Sequence, residues 1–324
     1  MKIRSVELSD SELSQEHAAL GLPPVEEVIV HPGEHPILRA AVWFTGIALL
    51  LITIFLLARL FYPGNTAGGW QAVEATLLGK AFWIAVAVGF FAQVIDGALG
   101  MAYGITATTF LLSTGASPAL ASASVHMAEI FTTGFSGIAH AKLGNVNKAL
   151  FGRLLIPGIV GTLIGVAVVT QVDGKVLKPY ISAYLLLMGI YILSKAWRKL
   201  QVRKEPPKHV AKLALFGGFV DAAGGGGWGP VVTTTLISSG HDPRTTIGSV
   251  NFAEFFLTLT GAAAFAAVVG STAWPLVMGL VFGGLFAAPF AAVLCSKVSA
   301  RTLLILVGVI IAIISTYNLY RAFA

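Results

Sequence analysis

"DAAGGGGWGPVVTTT", Asp221 to Thr235, decides how this chain is read. It interrupts an apolar stretch, residues 213–237, that otherwise has the character of a membrane helix. Four glycines in a row and a proline three residues later are poor helix formers. In hydrocarbon, a backbone that leaves its helix has no water to bond to. Such a break is tolerated only where protein buries it or a wet cavity borders it. The stretch therefore predicts a cavity at membrane depth.

Outward from it, the chain is apolar in blocks. Residues 39–62, 80–98, 119–141, 149–171, 176–194, 245–269, 272–296 and 302–320 each approach the roughly 20 residues that cross a bilayer core as a helix. Of the 324 residues, 56% are hydrophobic and 11% charged, well below the quarter or so charged in a soluble domain. The fold class is an all-α polytopic membrane protein; a β-barrel would show short alternating segments. The net charge of +6 does not imply nucleic acid, because the basic residues gather in loops between spans, as orientation signals do. One cysteine, Cys295, excludes an internal disulfide. Residues 1–36 are polar, hold seven of the fifteen carboxylates and lack the pattern of a signal peptide. They are expected to form a cytoplasmic tail with one short helix.

An internal repeat organises the rest. Asp96–Phe131 aligns with Asp221–Phe256 at a constant offset of 125, with 15 of 36 positions identical. "SVHMAE" faces "SVNFAE", and the matches include Asp, Gly, Thr, Pro, Ser and Glu, which chance similarity between apolar helices does not produce. The expected organisation is a tail (1–38), an extra span and loop (39–79), repeat one (80–197), a basic linker (198–207) and repeat two (208–324). Each repeat opens with a glycine-broken segment, re-entrant or discontinuous, followed by three transmembrane helices. If the broken segment re-enters, the repeats are inverted, and 16 Lys/Arg lie on the side of the basic linker against 5 opposite. If it crosses, the division is 13 against 8. Positive-inside asymmetry favours re-entrant, inverted repeats with the amino terminus in the cytoplasm.

After each break a helix is expected to start, near Gly104 and near Gly229. A helix amino terminus presents free N–H groups and partial positive charge, and glycine lets a ligand approach them. Two such termini converging at mid-membrane make a site for a small oxyanion. The substrate-binding candidates are Gly100, Tyr103, Gly104, Thr108, Thr109, Ser124 and His126 in repeat one. Gly225, Gly226, Gly227, Trp228, Gly229, Thr233, Thr234, Ser249 and Asn251 are their counterparts in repeat two. The bland alternative is that small residues only let helices pack; a run of GGGG before Trp-Gly-Pro goes beyond what packing requires. Asp96, Glu129, Asp221 and Glu254 are carboxylates within spans, in two repeat-matched pairs. They carry coupling protons or clasp the hairpin to the next helix, the clasp being favoured for the two aspartates. Lys142, Lys148 and Arg153 gather at one inner mouth, where they snorkel and set topology or attract anions from the cytoplasm; the cluster from Lys195 to Lys212 reads as an orientation signal that acidic lipid headgroups can also bind.

"DGALGMAYGITATTFLLSTG" with "SASVHMAEIFTTGFSG", then "GGGGWGPVVTTTLI" with "IGSVNFAEFF", resembles the sulfite exporter TauE/SafE family, also called the toluene sulfonate uptake permeases. The resemblance covers about residues 80–322. It implies a transporter of sulfite, organosulfonates or related sulfur compounds in the prokaryotic inner membrane. The first copy, "GALGMAYG", departs from the usual glycine-rich form, so the two halves of a site are unequal. The expected partners are a small anion and the lipid bilayer, with a homodimer compatible and no nucleic acid. No cofactor, metal or catalytic residue is expected. An anion channel or a proton-coupled importer would share the site. An intramembrane enzyme built on "HMAE" lacks further ligands, because Asn251 replaces the histidine in repeat two.

Overall fold

The computed structural model describes residues 5–7, 26–28, 36–60, 66–99, 101–197, 209–239, 241–269, 274–297 and 300–323. Gly100 and most of the amino-terminal tail lie outside them. The described part of the tail is a two-stranded antiparallel ladder, β1 (Ser5–Glu7) and β2 (Glu26–Val28); the short helix expected in the tail falls on residues outside those described. The extra span is α1 (Pro36–Leu60). Between it and repeat one, a loop was expected. The segment instead holds helix α2 (Thr66–Leu78), which meets α3 (Lys80–Leu99) at a bend of 66°. Gly79 makes that bend, its N–H closing on Thr76 O at 3.1 Å.

After the first break come α4 (Tyr103–Ser113), α5 (Pro118–Lys142), α6 (Lys148–Gln171) and α7 (Gly174–Lys195). The second break separates α8 (Val210–Gly224) from a π-helical turn (Gly229–Thr233) that runs into α9 (Thr234–Ser238). Then follow α10 (Pro243–Val269), α11 (Trp274–Lys297) and α12 (Ala300–Phe323). Side-chain caps set several starts: Ser117 accepts from Leu120 N, Asn147 from Ala149 and Leu150 N, and Asp173 from Lys175 N.

Among the described residues, five helices are long and apolar enough to cross a membrane, or six if the bent α2–α3 pair counts as one span. Helix α5 is not among them. At 25 residues it reaches about 37 Å, but it carries Ser122, Ser124, His126, Glu129 and Thr133 buried in the interior. The chain is a multi-pass α-helical membrane protein. Its outward faces are apolar: Trp43, Phe55, Phe91, Ile156, Leu187, Phe286 and Ile313 are each more than half exposed, as expected against lipid.

Helices pack in four long pairs: α3 with α11, α6 with α8, α5 with α10, and α7 with α12. Glycine makes the first two close. A Cβ on Gly165 would meet Phe219 O at 2.5 Å and Ala222 Cβ at 2.9 Å, and one on Gly279 would meet Phe82 O at 2.5 Å and Ala85 Cβ at 2.6 Å. These are backbone-to-backbone contacts of the small-residue kind found between membrane helices.

The ends of the broken segments are fixed by what they touch. Val210 at the start of α8 and Leu236 in α9 share one buried cluster with Leu38, Ala141, Val146 and Leu150. Gly248, early in α10, rests on the backbone of Asn145 in the α5–α6 turn. At the other end, Pro118 lies 3.3 Å from the Cβ position of Gly174, at the α6–α7 turn. Thus α8 starts, and α9 finishes, beside the α5–α6 turn, while α4 leads to the α6–α7 turn.

Candidate functional site

The two breaks meet. A Cβ on Gly104 would lie 2.8 Å from Gly226 Cα, 3.3 Å from Gly225 O and 3.0 Å from Glu129 Oε1. Gly225 and Gly226 have φ of +71° and +140°, which only glycine adopts without strain, and Ala102 before α4 has φ of +92°. Thr108 donates its hydroxyl to Gly225 O, latching the first half-site onto the second. Tyr184 of α7 donates to Gly226 O at 2.9 Å.

Two adjoining clefts open at this contact. One, of about 260 Å³, is lined by Met101, Ala102, Tyr103, Gly104, Ile105, Gly227, Gly229 and Pro230, with Asp96, Glu129, Asp221 and Glu254. The other, of about 270 Å³, is lined by Gln93, Asp96, Tyr103, Glu129, Thr132, Thr133, Ser136, Asn251 and Glu254. All four intramembrane carboxylates therefore face the same space. Glu129 Oε2, Asn251 Oδ1 and Gln93 Oε1 are buried there without a hydrogen-bond partner.

The aspartates close each hairpin on itself. Asp96 Oδ1 accepts from Tyr103 N at 3.4 Å, and Asp221 Oδ1 accepts from Trp228 N at 3.0 Å. Both bonds span seven residues and match across the repeat. Each carboxylate occupies a half-helix N–H that was expected to face an anion, so fewer donors stay open. Across the repeats, His126 Nε2 stands 3.5 Å from Asp221 Oδ2 while its Nδ1 contacts Ser122 O at 3.0 Å. Among the described residues no group of three His, Cys, Asp or Glu is arranged to hold a metal ion.

Of the substrate-binding candidates, Tyr103, Gly104, Gly227, Gly229 and Asn251 line the clefts. Gly225, Gly226 and Thr108 build the contact behind them. Trp228 is fully buried and donates Nε1–H to Val250 O at 3.1 Å, as a packing anchor. Thr109, Ser124 and Thr233 are buried away from the clefts, the first two with hydroxyls that have no partner. Ser249 also lies elsewhere: it accepts from Asn147 N at 2.8 Å and donates to Thr245 O at 2.6 Å, tying α10 to the start of α6. Gly100 is outside the described residues.

The sequence reading missed four polar residues on the cleft wall. Thr132, Thr133 and Ser136 follow Glu129 at helical spacing, and Gln93 precedes Asp96 by three, so one-face counting from each carboxylate finds them. It also took Lys195 for an orientation signal. Lys195 instead turns inward and donates to Thr234.

A profile of the sulfite exporter TauE/SafE family matches residues 85–318, covering both breaks and every cleft residue. The chain is also 43% identical over 241 residues to the "Probable membrane transporter protein YtnM" of Bacillus subtilis (strain 168), a match that spans 72% of this chain and 80% of the relative. No solved structure matches. With the family profile covering most of the chain and a close relative named as a membrane transporter, the protein belongs to the TauE/SafE family of membrane transporters.

Proposed function

We propose that the protein is a secondary transporter that carries small sulfur oxyanions, sulfite or an organosulfonate, across the prokaryotic plasma membrane by alternating access, with export favoured. The observation that carries this reading is the contact of Gly104 with Gly225 and Gly226 at the head of a cleft bordered by backbone from both breaks. The resting ends of the broken segments support re-entrant hairpins that enter from opposite faces, and hence inverted repeats. On that plan the basic linker and the amino terminus face the cytoplasm. The anion lies against Gly104, Gly227 and Gly229, with Asn251 as an orienting donor and the Tyr103 ring, whose hydroxyl donates to Leu280 O at 3.3 Å, as a wall.

The four carboxylates at the cleft favour proton coupling over simple passage. At 4 Å, two like charges repel by about 4 kcal/mol at an effective dielectric of 20. An oxyanion therefore loads stably once protons neutralise its neighbours, and Glu129 and Glu254, which cap no hairpin, are the carriers. The membrane potential favours export by about 2.3 kcal/mol per 100 mV for each net negative charge leaving an inside-negative cell, so export is favoured where fewer protons than anion charges travel with the anion. That corresponds to roughly a 50-fold gradient.

The test is flux of labelled sulfoacetate and sulfite in proteoliposomes, with the potential clamped and pH varied on each side. Saturable flux that follows the proton gradient is expected, and Glu129→Gln with Glu254→Gln should remove its pH dependence. Unchanged pH dependence in that double variant would remove the proton role; absence of flux for every sulfur oxyanion would remove the substrate assignment.

A further inference from the structure

Lys195 ends α7, where a lysine usually extends its stem toward headgroups. Here its ammonium group donates to the Thr234 hydroxyl, lies 3.5 Å from Met101 Sδ and stands 4.6 Å from the centre of the Tyr191 ring. Among the described residues, no carboxylate lies within ion-pair distance of the Lys195 ammonium group; the one acid–base contact within 4 Å is His126 with Asp221. An ammonium group has three donors. One hydroxyl and a thioether, a weak acceptor, leave it underpaired. A half-buried cation without a counter-ion loses part of its hydration, and an anion that comes and goes restores its pairing.

The placement suits a passing anion. Met101 belongs to the first break and lines the smaller cleft, with Lys195 just beyond it. Thr234 begins α9 of the second hairpin. The repeat provides an internal comparison. Thr109 matches Thr234 at the offset of 125, and α12 reaches Thr109 with Asn318, whose Nδ2 donates to Thr109 O at 3.0 Å. Each repeat's last helix thus sets a side-chain nitrogen against the matching threonine of the other repeat. One of these nitrogens is charged and the other neutral. The charged one stands on the side of the basic linker.

We propose that Lys195 and Thr234 form an oxyanion-binding subsite at the linker-side entrance to the cleft, screened from it by the flexible Met101 side chain. This rests on the anion-transport reading above. The subsite takes a sulfonate or sulfite group through the ammonium and the threonine hydroxyl. It makes apparent affinity higher from the linker side than from the far side.

The experiment is ligand titration of the purified full-length protein in detergent by thermal shift, using sulfite, sulfoacetate, phosphate and acetate as probes. Lys195→Gln is expected to weaken binding by about tenfold or more, the size of a lost charged hydrogen bond. Lys195→Arg should stay within about threefold of the parent. Lys195→Met keeps the packing against Met101 and Tyr191, and should match the glutamine variant if charge is what matters. In proteoliposomes, the half-saturating concentration should rise for substrate presented on the linker side only. Folded Gln and Met variants that bind as tightly as the parent would overturn the subsite and leave the transport reading intact. A parent that binds phosphate or acetate but no sulfur oxyanion, with Lys195→Gln weakened, would sink the substrate class and keep the subsite. A parent that binds none of the four would sink both.

Discussion

Asp221 ties three parts of the molecule with two oxygens. One accepts the Trp228 N–H and the other faces His126 of the opposite repeat. Replacing it with alanine leaves the buried Trp228 N–H unpaired, a cost of about 1–3 kcal/mol, and removes the 3.5 Å contact with His126. Asp221→Asn keeps an acceptor for Trp228. The alanine variant should therefore lower the thermal midpoint in detergent clearly more than the asparagine variant, and equal midpoints would show that the clasp contributes nothing. Asp96→Ala should cost less, since its bond to Tyr103 is longer and Asp96 is only partly buried. At this scale the residue types were readable, because an intramembrane carboxylate stands out against apolar neighbours. The partners were not. Lys195 sits in "SKAWRKLQVRK", where a run of basic residues masks the one that folds inward. Ser249 and Ser124 share a motif position across the repeat, yet one caps a neighbouring helix and the other is buried without a partner, a difference set by packing that no local pattern encodes.

The pairs α3–α11 and α6–α8 are held by backbone contact at glycines, whereas α6 meets α10 through the stacked and edge-on rings of Phe151, Phe252 and Phe256. Within α6, Gly165 rests on Phe219 and Ala222 of α8, whereas Gly152 has nothing within 4 Å of its Cβ position. Both changes to alanine gain helix propensity of about 1 kcal/mol. Gly152→Ala should be neutral or mildly stabilising. Gly165→Ala should destabilise the protein and push α8 away, lowering flux. Thermal midpoints and transport rates of the two variants check this, and equal behaviour would refute the close-packing account. The long helices were legible from apolar blocks, and the breaks from glycine and proline. The bend between α2 and α3 fell in the stretch expected to be a loop; Gly68 and Gly69 are poor helix formers, while the apolar residues after them support a helix once α3 is there to meet it. The π-helical turn at Gly229–Thr233 follows two glycines with positive φ and contains Pro230, which has no N–H to give.

For the whole molecule, the decisive question is whether the hairpins enter from opposite faces. Ser117, Asp173, Lys142 and Asp242 are exposed at helix ends. In a Cys295→Ser background, single cysteines at Ser117 and Asp173 should react with a membrane-impermeant maleimide from one side. Cysteines at Lys142 and Asp242 should react from the other. Labelling of Ser117→Cys and Asp242→Cys from the same side would end the inverted arrangement. The paired helices α3–α11 and α6–α8, each joining a broken segment of one repeat to the second of the three helices that follow the break in the other, were beyond sequence reading, because the register between distant helices is set by shape.

The Gly104–Gly226 contact has a mechanical consequence. No side chain separates the two bends, so neither hairpin tip can withdraw without exposing the other. The pair acts as an interlock, in which one gate must seat before its opposite can lift. A methyl group at Gly226 would prise the tips apart, since it would fall on the Gly104–Ile105 backbone. Vesicles carrying Gly226→Ala should then dissipate an imposed proton gradient faster than vesicles carrying the parent protein, even with no substrate present.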